Sequence, residues 1–257
     1  MGSHNGVASR LLLFMKQLAR IQAQRASLTT MKARLKSVFF DVGNTLTYAD
    51  LAVTLHPLTK RGLHPTDAQL RKAEIETRRE MDAINVSGSH LDPDAEYWRA
   101  FLTKLMDWLG VEDDGLLAEA TFEWRSARNW THMSPETPAI LERLASKYEL
   151  AVISNSDGTM SRLLKHLELA RYFRTITDSG VVGHAKPSAE IFHLALQSIG
   201  AVPEESVYIG DVYSIDILGA QNVGMQAILA DRLGTYADLN VPKVAKLDEL
   251  EALLKNI

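Results

Sequence analysis

Four short strings in the chain carry residue types from which a reaction could be built, and they come in one order. Phe39-Phe40-Asp41-Val42-Gly43-Asn44-Thr45-Leu46 ends an apolar run in a carboxylate and a polar turn. Val152-Ile153-Ser154-Asn155 ends a second run in a hydroxyl and an amide. Lys186-Pro187 supplies an isolated cation, and Gly210-Asp211-Val212-Tyr213-Ser214-Ile215-Asp216 supplies two further carboxylates after a third run. A carboxylate nucleophile, a hydroxyl–amide pair, a cation and a second carboxylate pair suit phosphoryl transfer through an aspartyl intermediate with a divalent metal.

Groups so far apart in sequence meet only if the elements carrying them converge. Ser37–Val42, Leu150–Ser154, Phe173–Thr177, Ser206–Ile209 and Gln226–Ala230 read as strands. Thr137–Lys147, Thr159–Leu169, Ala189–Ile199, Ile215–Asn222 and Leu247–Leu254 read as helices between or after them. Strands alternating with helices of about ten residues predict parallel βαβ units, and continuous apolar strands fit a sheet covered on both faces. The expected fold is therefore α/β, a Rossmann-like doubly wound parallel sheet. In such a sheet ligands bind at the carboxyl ends of the strands, which is where Asp41, Ser154 and Asp211 fall. A polar residue after one strand is ordinary turn chemistry; three strands delivering such residues to one edge argue for a site.

The pattern changes after the first strand. Thr66–Ile84 opens with a capping box, Thr66 with Gln69, and runs as a charged helix. Pro93–Leu109 repeats Tyr97, Trp98, Phe101, Leu102, Leu105 and Trp108 at helical steps, and Asp113–Asn129 is a third helix. These predict an all-helical insertion, its aromatic stripe serving chiefly as the insert's own core. The expected organisation is a core at 35–48 and 133–257, a helical cap at 49–132, and a basic extension at 1–34.

The bulk numbers exclude other classes. The 257 residues contain no cysteine, so thiolate catalysis, disulfides and cysteine-ligated zinc are out. No apolar run approaches the roughly 20 residues of a membrane span. Residues 1–40 carry Arg10, Lys16, Arg20, Arg25, Lys32, Arg34 and Lys36 and no acid, leaving 21 basic against 32 acidic residues, a net −11, from 41 onward. An acidic body argues against a nucleic-acid partner. The extension reads foremost as a poorly ordered leader, with Met31 as the more natural start. A targeting peptide and a surface or partner helix on Leu11–Phe14, Leu18 and Ile21 are the alternatives.

The four strings together resemble the haloacid dehalogenase-like superfamily, in its branch with a helical cap after the first strand. The resemblance covers about residues 36–232 and rests on Asp41-Val42-Gly43-Asn44-Thr45, on Ser154, on Lys186-Pro187-Ser188-Ala189-Glu190-Ile191-Phe192, and on Asp211 with Asp216. It implies a phosphohydrolase. Asp41 would attack phosphorus, and Mg²⁺ would be held by Asp41, the Gly43 carbonyl and Asp211. Asp216 would orient the metal's shell as part of the same set, and Lys186 would offset the charge. Ser154, Asn155 and the loop through Asn44 and Thr45 would hold the phosphate. The implied partner is a small phosphorylated substrate, not a nucleic acid or a membrane, for a cytoplasmic monomer or homodimer.

The departure is Gly43. Phosphatases of this family usually place a second aspartate there as general acid and base, a role worth a factor of about 10²–10⁴. Three explanations stand open. The substrate has a good leaving group; a cap residue, His56, His64 or His90, stands in; or the chain binds phosphorylated ligands without turnover. Haloacid dehalogenases also lack that aspartate, but they need no metal and lack the Gly-Asp string that Asp211 keeps here. Among the basic residues of the insertion, Arg61, Arg99, Arg125 and Arg128 could contact an anion or simply be solvated.

Overall fold

The computed structural model describes residues 34–87 and 95–257. Residues 1–33 of the extension, His90 and the expected Pro93 helix start lie outside the described residues. Six strands form one parallel sheet: β1 (Ser37–Phe40), β2 (Glu149–Ser154), β3 (Thr175–Asp178), β4 (Ser206–Gly210), β5 (Gln226–Ala230) and β6 (Lys243–Val244). Their spatial order is β3-β2-β1-β4-β5-β6. The chain therefore winds outward from β1 in one direction and returns to wind outward in the other, the doubly wound pattern expected from the sequence. β6, a two-residue strand against β5, was not foreseen.

All of β1 is buried, because alternate side chains leave the sheet on opposite faces and both faces are covered. Val38, Phe40, Val152, Val207 and Ile209 enter one apolar cluster; Phe39, Ala151, Ile153, Tyr208 and Leu229 enter the other. The register pairs Phe40 with Val152 on one side and with Ile209 on the other. Asp41 N–H continues that ladder by donating to the Ile209 carbonyl at 2.8 Å. The nucleophile candidate is thus held at the carboxyl end of the central strand.

After β1 come two single-turn helices, α1 (Leu51–Thr54) and α2 (His56–Thr59). The sequence offers no apolar period there; Asp50 caps the first by accepting from Ala52 N–H. Three longer helices follow: α3 (Asp67–Val86), α4 (Ala95–Leu109) and α5 (Asp114–Arg125). Thr66 and Gln69 form the expected capping box at the start of α3. The core resumes with α6 (Thr137–Ala145), α7 (Met160–His166), α8 (Ser179–Val182) and α9 (Ala189–Ile199). Tyr213–Ile217 is a π-helical turn running into α10 (Leu218–Asn222), where a plain helix from Ile215 was expected, and α11 (Leu250–Leu254) closes the chain. π-Turns of this kind favour functional sites; here it tucks Asp216 back toward β4. No described helix is long and apolar enough to cross a membrane.

Candidate active site

β1 ends in a turn of small radius. The Val42 carbonyl accepts from the N–H groups of Thr45, Leu46 and Thr47, and Asn44 sits in the left-handed region at φ 54°. Asparagine tolerates that conformation better than most residues, so the turn does not depend on Gly43. What Gly43 supplies is room: a Cβ there would stand 3.3 Å from Trp130 Cζ3. The indole of Trp130 crowds the Cβ position of any side chain placed there.

Lys186 arrives from the loop before α9 and is 3% exposed. Its Nζ donates to Asp41 Oδ1 at 2.6 Å, to Tyr208 Oη at 2.8 Å and to Asp216 Oδ1 at 2.8 Å, so all three ammonium protons are used. Asn155 fixes the lysine's backbone. Its Oδ1 accepts from Lys186 N–H at 2.8 Å and its Nδ2 donates to the Lys186 carbonyl at 3.0 Å. The amide expected to touch phosphate is thus committed to placing the lysine.

Asp216 has both oxygens engaged, Oδ1 by Lys186 and Tyr208 and Oδ2 by Val212 N–H at 2.9 Å. Its approach needs Gly210, where a Cβ would stand 2.4 Å from the Asp216 carboxyl carbon. Asp211 meets a residue absent from the sequence reading. Arg78 of α3 donates from Nη1 to Asp211 Oδ2 at 2.6 Å, while its Nε and Nη2 donate to Glu74.

Carboxylate oxygens of Asp41, Asp211 and Asp216 lie within 4.8 Å of one another. Burial pushes the Asp41 carboxyl up to about 7; Lys186 pulls it down, while Asp216 and Asp211 add to the rise. Burial likewise raises Asp211 against the pull of Arg78. For Lys186 burial works against the charged form, but Asp216 and Asp41 outweigh it and hold the ammonium above its ordinary value. Among the described residues no hydrogen bond reaches Asp41 Oδ2 or Asp211 Oδ1. Two hard, anionic oxygens without protein donors are the kind Mg²⁺ takes. The set fits a divalent cation better through Asp41 and Asp211 than through Asp216, which is spent on Lys186.

One cavity, of about 130 Å³, opens above this cluster. Of the residues singled out in the sequence, Asp41, Gly43, Asn44, Ser154, Asn155, Lys186, Asp211 and Asp216 line it. Thr45 does not. It is buried behind the turn, its N–H taken by Val42 and its Oγ1 without a partner among the described residues. Of the insertion's candidates only Arg125 lines the cavity. Arg61 is bound to Glu119 at 2.9 Å and Asp113 at 3.2 Å, while Arg99 and Arg128 are exposed outside it. His56 and His64 are exposed and away from the lining.

The lining also holds residues the sequence reading missed or set aside: Arg78, Asp157, and the rings of Tyr97, Trp98, Phe101, Trp124 and Trp130. For Arg78 a signal existed. With Asp82 it falls on the stripe of Ala73, Thr77 and Met81, and charged residues on the buried face of a helix need partners.

A six-stranded doubly wound sheet with a helical insertion after its first strand, and a buried Asp–Lys–Asp cluster at the strand ends, define a class. The haloacid dehalogenase-like hydrolase model matches residues 35–224, and the chain belongs to that family. Among its relatives is the glyceraldehyde 3-phosphate phosphatase of Methanothermobacter thermautotrophicus, 32% identical over 86% of this chain and 100% of that protein. Among solved structures, the putative hydrolase YfnB of Bacillus subtilis, bound to magnesium, superposes with a TM-score of 0.64 at 23% identity, covering 88% and 100% of the two chains. A 2-haloacid dehalogenase from Pseudomonas syringae pv. tomato gives a TM-score of 0.53 at 26% identity, covering 86% and 99%.

Proposed function

We propose that the chain hydrolyses a small phosphorylated metabolite, with Asp41 as nucleophile and Mg²⁺ at the carboxylate cluster. The observation that carries this reading is the Asp41–Lys186 pair at 2.6 Å, set beside Asp211 on the floor of one cavity. The phosphatase relative supports the choice of phosphate over other groups.

In this reading a carboxylate oxygen of Asp41 forms the bond to phosphorus as the bond to the leaving oxygen breaks. Water then attacks phosphorus, phosphate departs and the Asp41 carboxylate is restored. Lys186 keeps the charge of the attacking group balanced as a dianion approaches, and Tyr208 and Asp216 hold the ammonium in place. Ser154 faces the same cavity with a hydroxyl for a phosphoryl oxygen. A Mg²⁺ held by Asp41 and Asp211, with the Gly43 carbonyl as a further ligand, would supply charge stabilisation at the phosphoryl oxygens. Gly43 brings no proton, and neither described cap histidine reaches the cavity, so the reading favours substrates whose leaving oxygen needs little protonation.

The test is phosphate release from acetyl phosphate and p-nitrophenyl phosphate, with and without Mg²⁺. Metal-dependent release, lost to background in Asp41→Asn, is the expected result. Release from Asp41→Asn at the wild-type rate would overturn it. A second reading is favoured by Gly43 and by the likeness to the dehalogenase. It predicts metal-independent halide release from 2-chloropropionate and none of the phosphate.

A further inference from the structure

The cavity is built of two unlike halves. Its floor carries the carboxylates and Lys186, whereas the wall contributed by α4, α5 and Trp130 is aromatic. Trp98, Trp124 and Trp130 form a triangle, with ring centroids 5.8 Å, 6.1 Å and 6.2 Å apart, and Phe101 lies 5.6 Å from Trp98. Trp130 is locked by donating Nε1–H to the Trp124 carbonyl at 2.9 Å. Its ring rests on Gly43, two residues from the nucleophile. The aromatic wall therefore stands beside the turn that carries the nucleophile.

We infer that this wall is a subsite for the leaving group, and that the substrate is a phosphate monoester of a hydroxyl on a single planar, unsaturated ring, an aryl or heteroaryl phosphate. This rests on the reading of Asp41 as the group that attacks phosphorus.

Two independent features agree. Aromatic side chains prefer offset or edge-on contact with another flat ring, and a cavity of about 130 Å³, which must also take the phosphoryl group, sets a small upper limit on the leaving group. The same indole that makes the wall crowds the Cβ position of the missing acid. An aryl oxide is a weaker base than an alkoxide, and so leaves with less help from a proton.

The experiment compares phenylphosphonate with methylphosphonate by titration calorimetry on the full chain with Mg²⁺, alongside acetyl phosphate turnover. Neither phosphonate has a leaving group, so the comparison isolates ring recognition from reactivity. Phenylphosphonate is expected to bind at least about tenfold more tightly, with the ratio falling toward one in Trp98→Ala and retained in Trp98→Phe. Equal affinities in the wild type, with acetyl phosphate cleaved, overturn the ring subsite and leave the hydrolase reading standing. A clear ring preference without any acetyl phosphate turnover overturns the leaving-group assignment together with the hydrolase reading and leaves only a ring-binding wall. The wild-type comparison decides even if the alanine variant fails to fold.

Discussion

Gly43 and Trp130 are one feature seen from two sides. In the sequence Gly43 looks like a loss, an acid replaced by nothing; in the structure its Cβ direction ends 3.3 Å from an indole. An aspartate introduced there alone would bring its Cβ into tight contact with Trp130, which must shift to admit it. Gly43→Asp is accordingly expected to cost about 1–3 kcal/mol by overpacking, read from the urea midpoint, and to leave ester hydrolysis no faster. Gly43→Asp combined with Trp130→Ala should relieve the clash, and stability recovering relative to Gly43→Asp alone would show it. A single Gly43→Asp variant as stable as wild type would mean that Trp130 yields freely.

At the scale of elements, α3 is the helix that joins insertion to core. Arg71 donates to the Leu233 carbonyl, Arg79 to the Thr235 carbonyl and Asn85 to Ser214 Oγ. Asp82 accepts from Ser214 N–H at 2.9 Å and from Tyr236 Oη at 2.5 Å. These contacts recur at roughly one-turn and two-turn steps, so a single face of α3 meets the π-turn and the loop after β5. Asp82 is 2% exposed, so removing one of its donors leaves a buried carboxylate short of hydrogen bonds. Tyr236→Phe should destabilise by about 1–3 kcal/mol, measured by thermal or urea unfolding. No change would indicate that water replaces the hydroxyl.

Across the whole molecule, Arg78 couples the position of the insertion to the charge at the strand ends. Its guanidinium, buried and paired with Glu74 and Asp211, stands where a divalent cation would share Asp211. Removing one member of a buried pair typically costs about 3–5 kcal/mol, because the remaining charge is left uncompensated. Arg78→Met should therefore lower Tm without metal, and Mg²⁺ should restore more of it than in wild type, since the cation replaces the lost positive charge. Scanning calorimetry with and without Mg²⁺ checks this; an Mg²⁺-induced Tm shift no larger than in wild type would count against the coupling.

The strands were legible because each is a local apolar run closed by turn residues. The parallel order followed from helices lying between them, and the three long helices of the insertion followed from capping and periodicity. Asp41, Ser154, Lys186 and Asp211 could be named because their strings are contiguous. What the sequence by itself determined is therefore the doubly wound core and the inventory of groups at its edge. Only the tertiary structure decided how those groups are shared. Asn155 was spent on the lysine backbone, Asp216 on the lysine and Val212, and Thr45 was turned away from the cavity. Arg78 was brought to Asp211 across 133 residues, and Trp130 was laid on Gly43. The physical reason is that strand ends are set by local chemistry. By contrast, the partner of a helical side chain depends on which face packs against which distant element, and a charged or aromatic residue in an insertion looks the same in sequence whether it faces water, its own core or a site.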